Sequence, residues 1–218
     1  MAQVQGPRLR EQRHLGLAVG DETEIRQTAQ ADRIILERAD LSAADLSGGR
    51  LTECVLRSVT MGDADLTAAS IVESSWERVN SAHLKAPRST WRDVTLQDSR
   101  LGVAELHDAG ISGLVLRGCK LDLVNLRNAV LADVLFEDCT IGELDISGAR
   151  ANRVRFSGCT VGTLEAREAR LKDVDLRGAE LQRLVGLSGL KGAVISPEQL
   201  LDLAPSLAQH LGLAVEPS

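Results

Sequence analysis

The stretch Ala39-Asp40-Leu41-Ser42-Ala43-Ala44-Asp45-Leu46-Ser47-Gly48-Gly49-Arg50-Leu51 sets a small residue, a polar residue or glycine, and a leucine in the same order every five positions. Outward from it, the leucine series begins at Leu36 and runs on through Leu56, Met61, Leu66, Ile71 and Trp76. After the small residues Ser81 and Ala86 it resumes with Trp91, Leu96, Leu101, Leu106 and Ile111, and keeps its phase to Leu176 and Leu181. Two positions before each member lies a smaller side chain, among them Ala64, Ala69, Val94, Ala104, Cys119, Cys139 and Cys159. A period of five fits neither the 3.6 of a helix nor the 2 of a strand, so internal repetition decides the fold before local propensity does.

Read twenty residues at a time, the units sort into four unlike sides. One is centred on Leu36, Leu56, Trp76, Leu96, Leu116, Phe136, Phe156 and Leu176. Another aligns Cys119, Cys139 and Cys159, and a third collects Ala69, Ala109, Ala129, Ala149 and Ala169. With its copies Ala39-Asp40-Leu41, Ala44-Asp45-Leu46, Ala64-Asp65-Leu66, Val124-Asn125-Leu126 and Val174-Asp175-Leu176, the chain resembles the pentapeptide-repeat family. The resemblance implies an all-β solenoid, a right-handed quadrilateral β-helix with four pentapeptides to a coil and a short C-terminal helical cap. Residues 1–30 are then an N-terminal tail or initial cap, 31–190 the β-helix, and 191–218 the C-terminal helical cap and a possible dimerisation segment.

Core volume supports the frame. One coil would centre Trp76, Ser81, Ala86 and Trp91, setting two very large side chains beside two small ones. Two aliphatic neighbours in their place would overfill the interior at a cost of about 1–3 kcal/mol. Seven to eight coils at the β-ladder spacing of about 4.8 Å predict a rod roughly 36 Å long.

The chemistry-bearing residues are dispersed. Cys54 falls on a different side from Cys119, Cys139 and Cys159, whereas a tetrahedral zinc site needs four convergent donors, so the cysteines read as small buried hydrophobes. His14, His83, His107 and His210 do not cluster, and no phosphate-binding glycine loop, dinucleotide fingerprint or paired-histidine motif occurs. No catalytic residue, cofactor or metal is expected, and the reading is that of a non-enzyme. Free cysteines in a non-disulfide pattern fit a cytoplasmic protein, and no uncharged apolar run of about 18 residues predicts a membrane span.

The ends break the repeat. Ser196-Pro197-Glu198-Gln199 has the spacing of a capping box with proline at the first helical position, and Pro205 should divide or bend the helix that follows. This segment, continuing to His210-Leu211-Gly212-Leu213, resembles the C-terminal cap of quinolone-resistance pentapeptide-repeat proteins, which implies a homodimer through Leu207, Leu211, Leu213 and Val215. At the other end, Leu15-Gly16-Leu17-Ala18-Val19 could be a tail, a cap or a partner-binding arm. Gly20-Asp21 reads as a turn that brings Ile25 to the first coil.

The chain carries 31 acidic and 25 basic residues, a net charge of −6. One side gathers Asp45, Asp65, Glu105, Asp108, Asp145, Glu165 and Glu168, and an adjacent position repeats Glu53, Glu73, Asp93, Asp133 and Asp173. An acidic protein lacks the broad basic footprint of a phosphate reader, so direct nucleic-acid binding is not expected, despite the local cluster Arg150, Arg153, Arg155, Arg167, Arg170 and Lys172. The family resemblance implies instead a DNA-mimicking protein that binds DNA gyrase or topoisomerase IV through the first carboxylate set, inhibiting it or protecting it from poisons. The alternative is a protein-binding scaffold or regulator with an unrelated partner.

Overall fold

The computed structural model describes residues 4–10 and 14–215. A single parallel β-solenoid accounts for most of them, its repeat coils stacked in a twenty-residue register from Gln30 to Val185. Trp91 pairs with Ile111, Ile111 with Leu131, Leu131 with Ala151 and Ala151 with Leu171. On another side Leu101, Leu121, Ile141, Val161 and Leu181 follow one another in the same way. In a mid-rod coil, Thr90–Gln97 spans two sides, Arg100–Glu105 covers the third and enters the fourth, and a turn closes it with the Ala109 N–H on the Leu106 carbonyl at 3.2 Å.

The corners explain much of the polar pattern. Among the described residues, the position two after each central apolar residue repeatedly takes positive φ, as at Ala43 (54°), Asp93 (51°), Asp133 (57°) and Asp173 (53°). Aspartate, asparagine and glycine tolerate this left-handed conformation best. Where glycine stands there, it also yields space to its neighbour: a Cβ on Gly148 would meet the Asn128 Oδ1 at 2.4 Å. The corner at His83, Val103, Leu123, Glu143 and Thr163 is not left-handed, and there the chain runs through as strand. The two N-terminal coils instead make a tight turn at this corner, with Ala44 N–H on the Leu41 carbonyl and Ala64 N–H on that of Met61.

The interior is apolar and full. Trp76 and Trp91 meet edge to face, 5.1 Å between centroids at 63°, with Ser81 and Ala86 fully buried beside them. One coil apart, Phe136 and Phe156 stack at 4.7 Å and 3°. Two interior voids, one beside Phe136 and Phe156 and one beside Trp91, are about 20 Å³ each. All four cysteines are buried and free. The thiols of Cys119, Cys139 and Cys159 donate to the carbonyls of Arg117, Glu137 and Ser157, and Ser99, one coil before Cys119, likewise donates to that of Gln97. Burial pushes the Cys54 thiol up to about 11. No group of metal-ligating side chains occurs among the described residues.

The stack is longer than the repeat frame predicts. Ten strands follow one another along one side, beginning with Ala18–Val19 on Ile34–Ile35 and ending with Ala193–Val194 on Val174–Asp175. Nine steps at about 4.8 Å make roughly 43 Å rather than 36 Å, because non-repeat strands extend both ends.

Both ends are capped. Asp21 accepts from the Thr23 N–H and opens a helix, Glu22–Thr28, whose Ile25 closes the first coil at 2% exposure. Gly20-Asp21 is thus a helix start rather than a simple turn. At the far end Ser196 and Gln199 form a reciprocal capping box on the helix Pro197–His210. That helix is continuous through Pro205, which corrects the expected division. Its Gln199 Nε2 donates to the carbonyls of Leu176 (2.7 Å), which also accepts from the Ala179 N–H, and Ala179 (2.6 Å), tying the helix start to the last coil. Among the described residues no helix is long and apolar enough to cross a membrane.

Candidate protein-binding site

The solenoid brings five of the seven expected carboxylates into one column. Asp45 bridges to Asp65 and Asp65 to Lys85, and the ladder continues through Glu105, Asn125, Asp145 and Glu165. Asp108 and Glu168 stand three residues further on, exposed at the neighbouring corner with φ of 59° and 58°.

These carboxylates are not alike. Asp45, Asp65 and Asp145 each turn one oxygen back onto the chain, accepting from the N–H of Ser47 (3.0 Å), Thr67 (2.8 Å) and Ser147 (2.9 Å). Asn125 does the same for Arg127 and Asp175 for Arg177. The Asp-or-Asn preference before the central leucine therefore has a structural source, a side chain closing its own turn. Asp145 goes further: it is buried and ion-paired with Arg127. Burial pushes its carboxyl upward, but the Ser147 hydrogen bonds and Arg127 together hold it below the usual aspartate range. Glu165 pairs with Arg167, and Glu105 lies 2.7 Å from the His83 Nε2. Asp45 is the exposed member of the column, its carboxyl lowered by the Ser47 hydroxyl and N–H.

Elsewhere charges alternate up the rod. Arg57 reaches Glu37 (2.7 Å) below and Glu77 (2.9 Å) above, and Arg117 pairs with Glu137 one coil on. The C-terminal basic cluster is divided in the same way: Arg153 pairs with Asp133, Arg155 approaches Asp175 and Arg167 pairs with Glu165.

At the C-terminal end Leu211 (70% exposed), Leu213 (61%) and Val215 (78%) are open, Leu207 is half-buried, and Leu200 and Leu201 add to the exposed apolar surface. The helix contributes Leu203 to burial in this chain.

Sequence periodicity missed one feature altogether. Residues 4–10 run along the corner that carries Asp93, Asp133 and Asp173, outside any helix or strand. The Gln5 N–H donates to the Asp173 Oδ1 (3.2 Å), the Arg8 N–H to the Asp133 Oδ1 (2.8 Å), and Arg10 lies 3.9 Å from Asp93. The Arg153 guanidinium and then the Arg8 N–H hold the Asp133 carboxyl below its usual range. Arg8 and Arg10 in an otherwise irregular segment were the only available signal, and nothing in their spacing names the coils they reach.

The family model for pentapeptide repeats matches residues 34–71 in eight copies. No curated protein matches the chain. Among solved structures, full-length QnrB1, a plasmid-mediated fluoroquinolone resistance protein, is 19% identical over 84% of this chain and 90% of that chain, with a TM-score of 0.31. HetL, a pentapeptide repeat protein involved in heterocyst differentiation regulation from the cyanobacterium Nostoc sp. strain PCC 7120, is 19% identical over 76% of this chain and 89% of that one, with a TM-score of 0.23. At these values neither likeness carries a functional argument.

Proposed function

We propose that this chain, a pentapeptide-repeat protein, is a non-enzymatic ligand that presents its carboxylate column to the DNA-binding groove of a type II topoisomerase. The observation that supports the reading is the continuous ladder from Asp45 to Glu165, which sets five carboxylates on one side of a filled rod. The target class comes from the resemblance of the repeats and the C-terminal cap to the quinolone-resistance subgroup. In this reading the rod competes with DNA for a basic groove, and no bond is made or broken.

Charge spacing limits how closely the column imitates a duplex. Positions recur at steps of about 4.8 Å, and Lys85 and Asn125 interrupt the carboxylates, whereas duplex DNA carries about one charge per 1.7 Å of axis. Competition then rests on a few well-placed groups: Asp45, Asp65, Glu105, Asp108 and Glu168 are the accessible members, while Asp145 and Glu165 chiefly hold the arginines beside them. The test is whether purified protein changes gyrase or topoisomerase IV supercoiling, with the effect weakening as DNA or salt rises. A second reading, a scaffold for an unrelated protein, draws support from the Arg127 and Arg167 pairs, which give the same side mixed charge. It predicts recovery of that partner from native cells without topoisomerase subunits.

A further inference from the structure

The N-terminal arm and its corner share a period. Asp93, Asp133 and Asp173 stand two coils apart, with Gly113 and Arg153 between them. Two coils span about 9.6 Å, and three residues of extended chain span about 10 Å. Gln5 and Arg8, three residues apart, accordingly donate their N–H groups to Asp173 and Asp133. Arg10 continues the descent toward Asp93.

Several details make this corner a seat for a peptide. Gly6 lets the backbone come close: a Cβ there would lie 3.1 Å from the Arg155 Nη2. Arg153 clamps Asp133 through two bonds of 2.6 and 2.7 Å, so the carboxylate is already aimed when the Arg8 N–H arrives. A cavity of about 480 Å³ remains between Arg8 and Arg10 on the arm and Glu73, Asp93 and Asp133 on the corner. The Gln5 and Arg8 contacts use main-chain donors, which any non-proline residue supplies, while Arg8, Leu9 and Arg10 are exposed. The seat therefore selects an extended backbone with positive charge and holds it loosely.

We propose that the Asp93–Asp133–Asp173 corner is a docking track for an extended, arginine-containing protein segment, and that the chain's own residues 4–10 occupy it in cis until such a segment displaces them. The track belongs to the larger sheet, whereas the ladder from Asn125 to Glu165 lies in the smaller one, so this site is separate from the proposed topoisomerase face. A segment tethered to the same chain acts at an effective concentration in the millimolar range, which keeps the track closed to weak competitors.

The experiment uses the full-length chain and a fluorescent peptide of residues 4–10. Gln5→Pro with Arg8→Pro removes the two N–H donors, and Arg10→Glu reverses the ion pair, all outside the solenoid. The peptide is expected to bind this arm variant at least tenfold more tightly than wild type and to weaken as salt rises. Adding Asp133→Gly and Asp173→Gly should abolish binding; glycine suits the left-handed corner, as Gly113 does on the same column. A second readout is tryptic cleavage after Arg8 and Arg10 in a chain whose arm is otherwise native, which the two glycine changes alone should accelerate several-fold. Equal peptide binding by wild type and arm variant, or cleavage indifferent to the glycine changes, overturns the proposal.

Discussion

The indole rings of Trp76 and Trp91 meet edge to face at 5.1 Å, and the space for them exists because Ser81 and Ala86 occupy the other sides of the same coil. A filled solenoid cannot absorb added methylenes. Ala86→Leu is expected to lower unfolding free energy by about 1–3 kcal/mol, measured by urea denaturation. An unchanged midpoint would contradict this packing.

Corner geometry makes a second prediction. Gly148 has φ of 69° and its missing Cβ leaves room for the Asn128 Oδ1. Gly148→Val should cost about 1–3 kcal/mol through backbone strain and crowding. Ala68→Gly, at φ 57° on the same column, should be close to neutral; equal losses in thermal scans would discard the corner argument.

Stability should also fall in acid. The Arg153 guanidinium holds the Asp133 carboxyl low, Arg177 does so for Asp175, and Ser147 with Arg127 overcomes burial at Asp145. Carboxylates depressed in the folded state contribute stability that is present above the ordinary aspartate pKa of about 3.9 and is lost as pH falls through their lower folded values. The urea midpoint should therefore hold from pH 7 to about 5 and fall progressively below about 4. A midpoint that rises on acidification would refute the assignment.

The exposed end made by Leu211, Leu213 and Val215 predicts self-association. Leu211→Glu with Leu213→Glu should shift the mass measured by light scattering from dimer to monomer while leaving the solenoid's melting transition in place. A wild-type mass that is monomeric at every concentration would end the dimer proposal.

The solenoid was legible because its signal is redundant: each Leu or Ile of the central series repeats the same instruction, and a one-residue slip would turn the whole inward set outward. Ser196 and Gln199 were legible because a capping box is local. Pro205 does not divide its helix, the first of the two outcomes its position predicts. The Glu22–Thr28 helix carried readable marks, Asp21 as cap with Glu22 and Glu24 in its first turn, but at seven residues it lacks a convincing period. Charge was hardest to read. Asp145 and Asp45 occupy the same repeat position, yet one is buried and paired with Arg127, eighteen positions away on the preceding coil, and the other is open.

The most direct test of the central claim is a gyrase supercoiling titration comparing wild type with a charge-neutral column variant. Asp45→Asn, Asp65→Asn, Glu105→Gln, Asp108→Asn and Glu168→Gln remove charge, and at Asp45 and Asp65 the amide keeps the turn-closing oxygen, as Asn125 already does in this column. Wild type should alter supercoiling in a manner reversed by added DNA, and the variant should need at least tenfold more protein for the same effect. No effect of wild type on topoisomerases from its own source, or equal potency of the two proteins, would contradict the account.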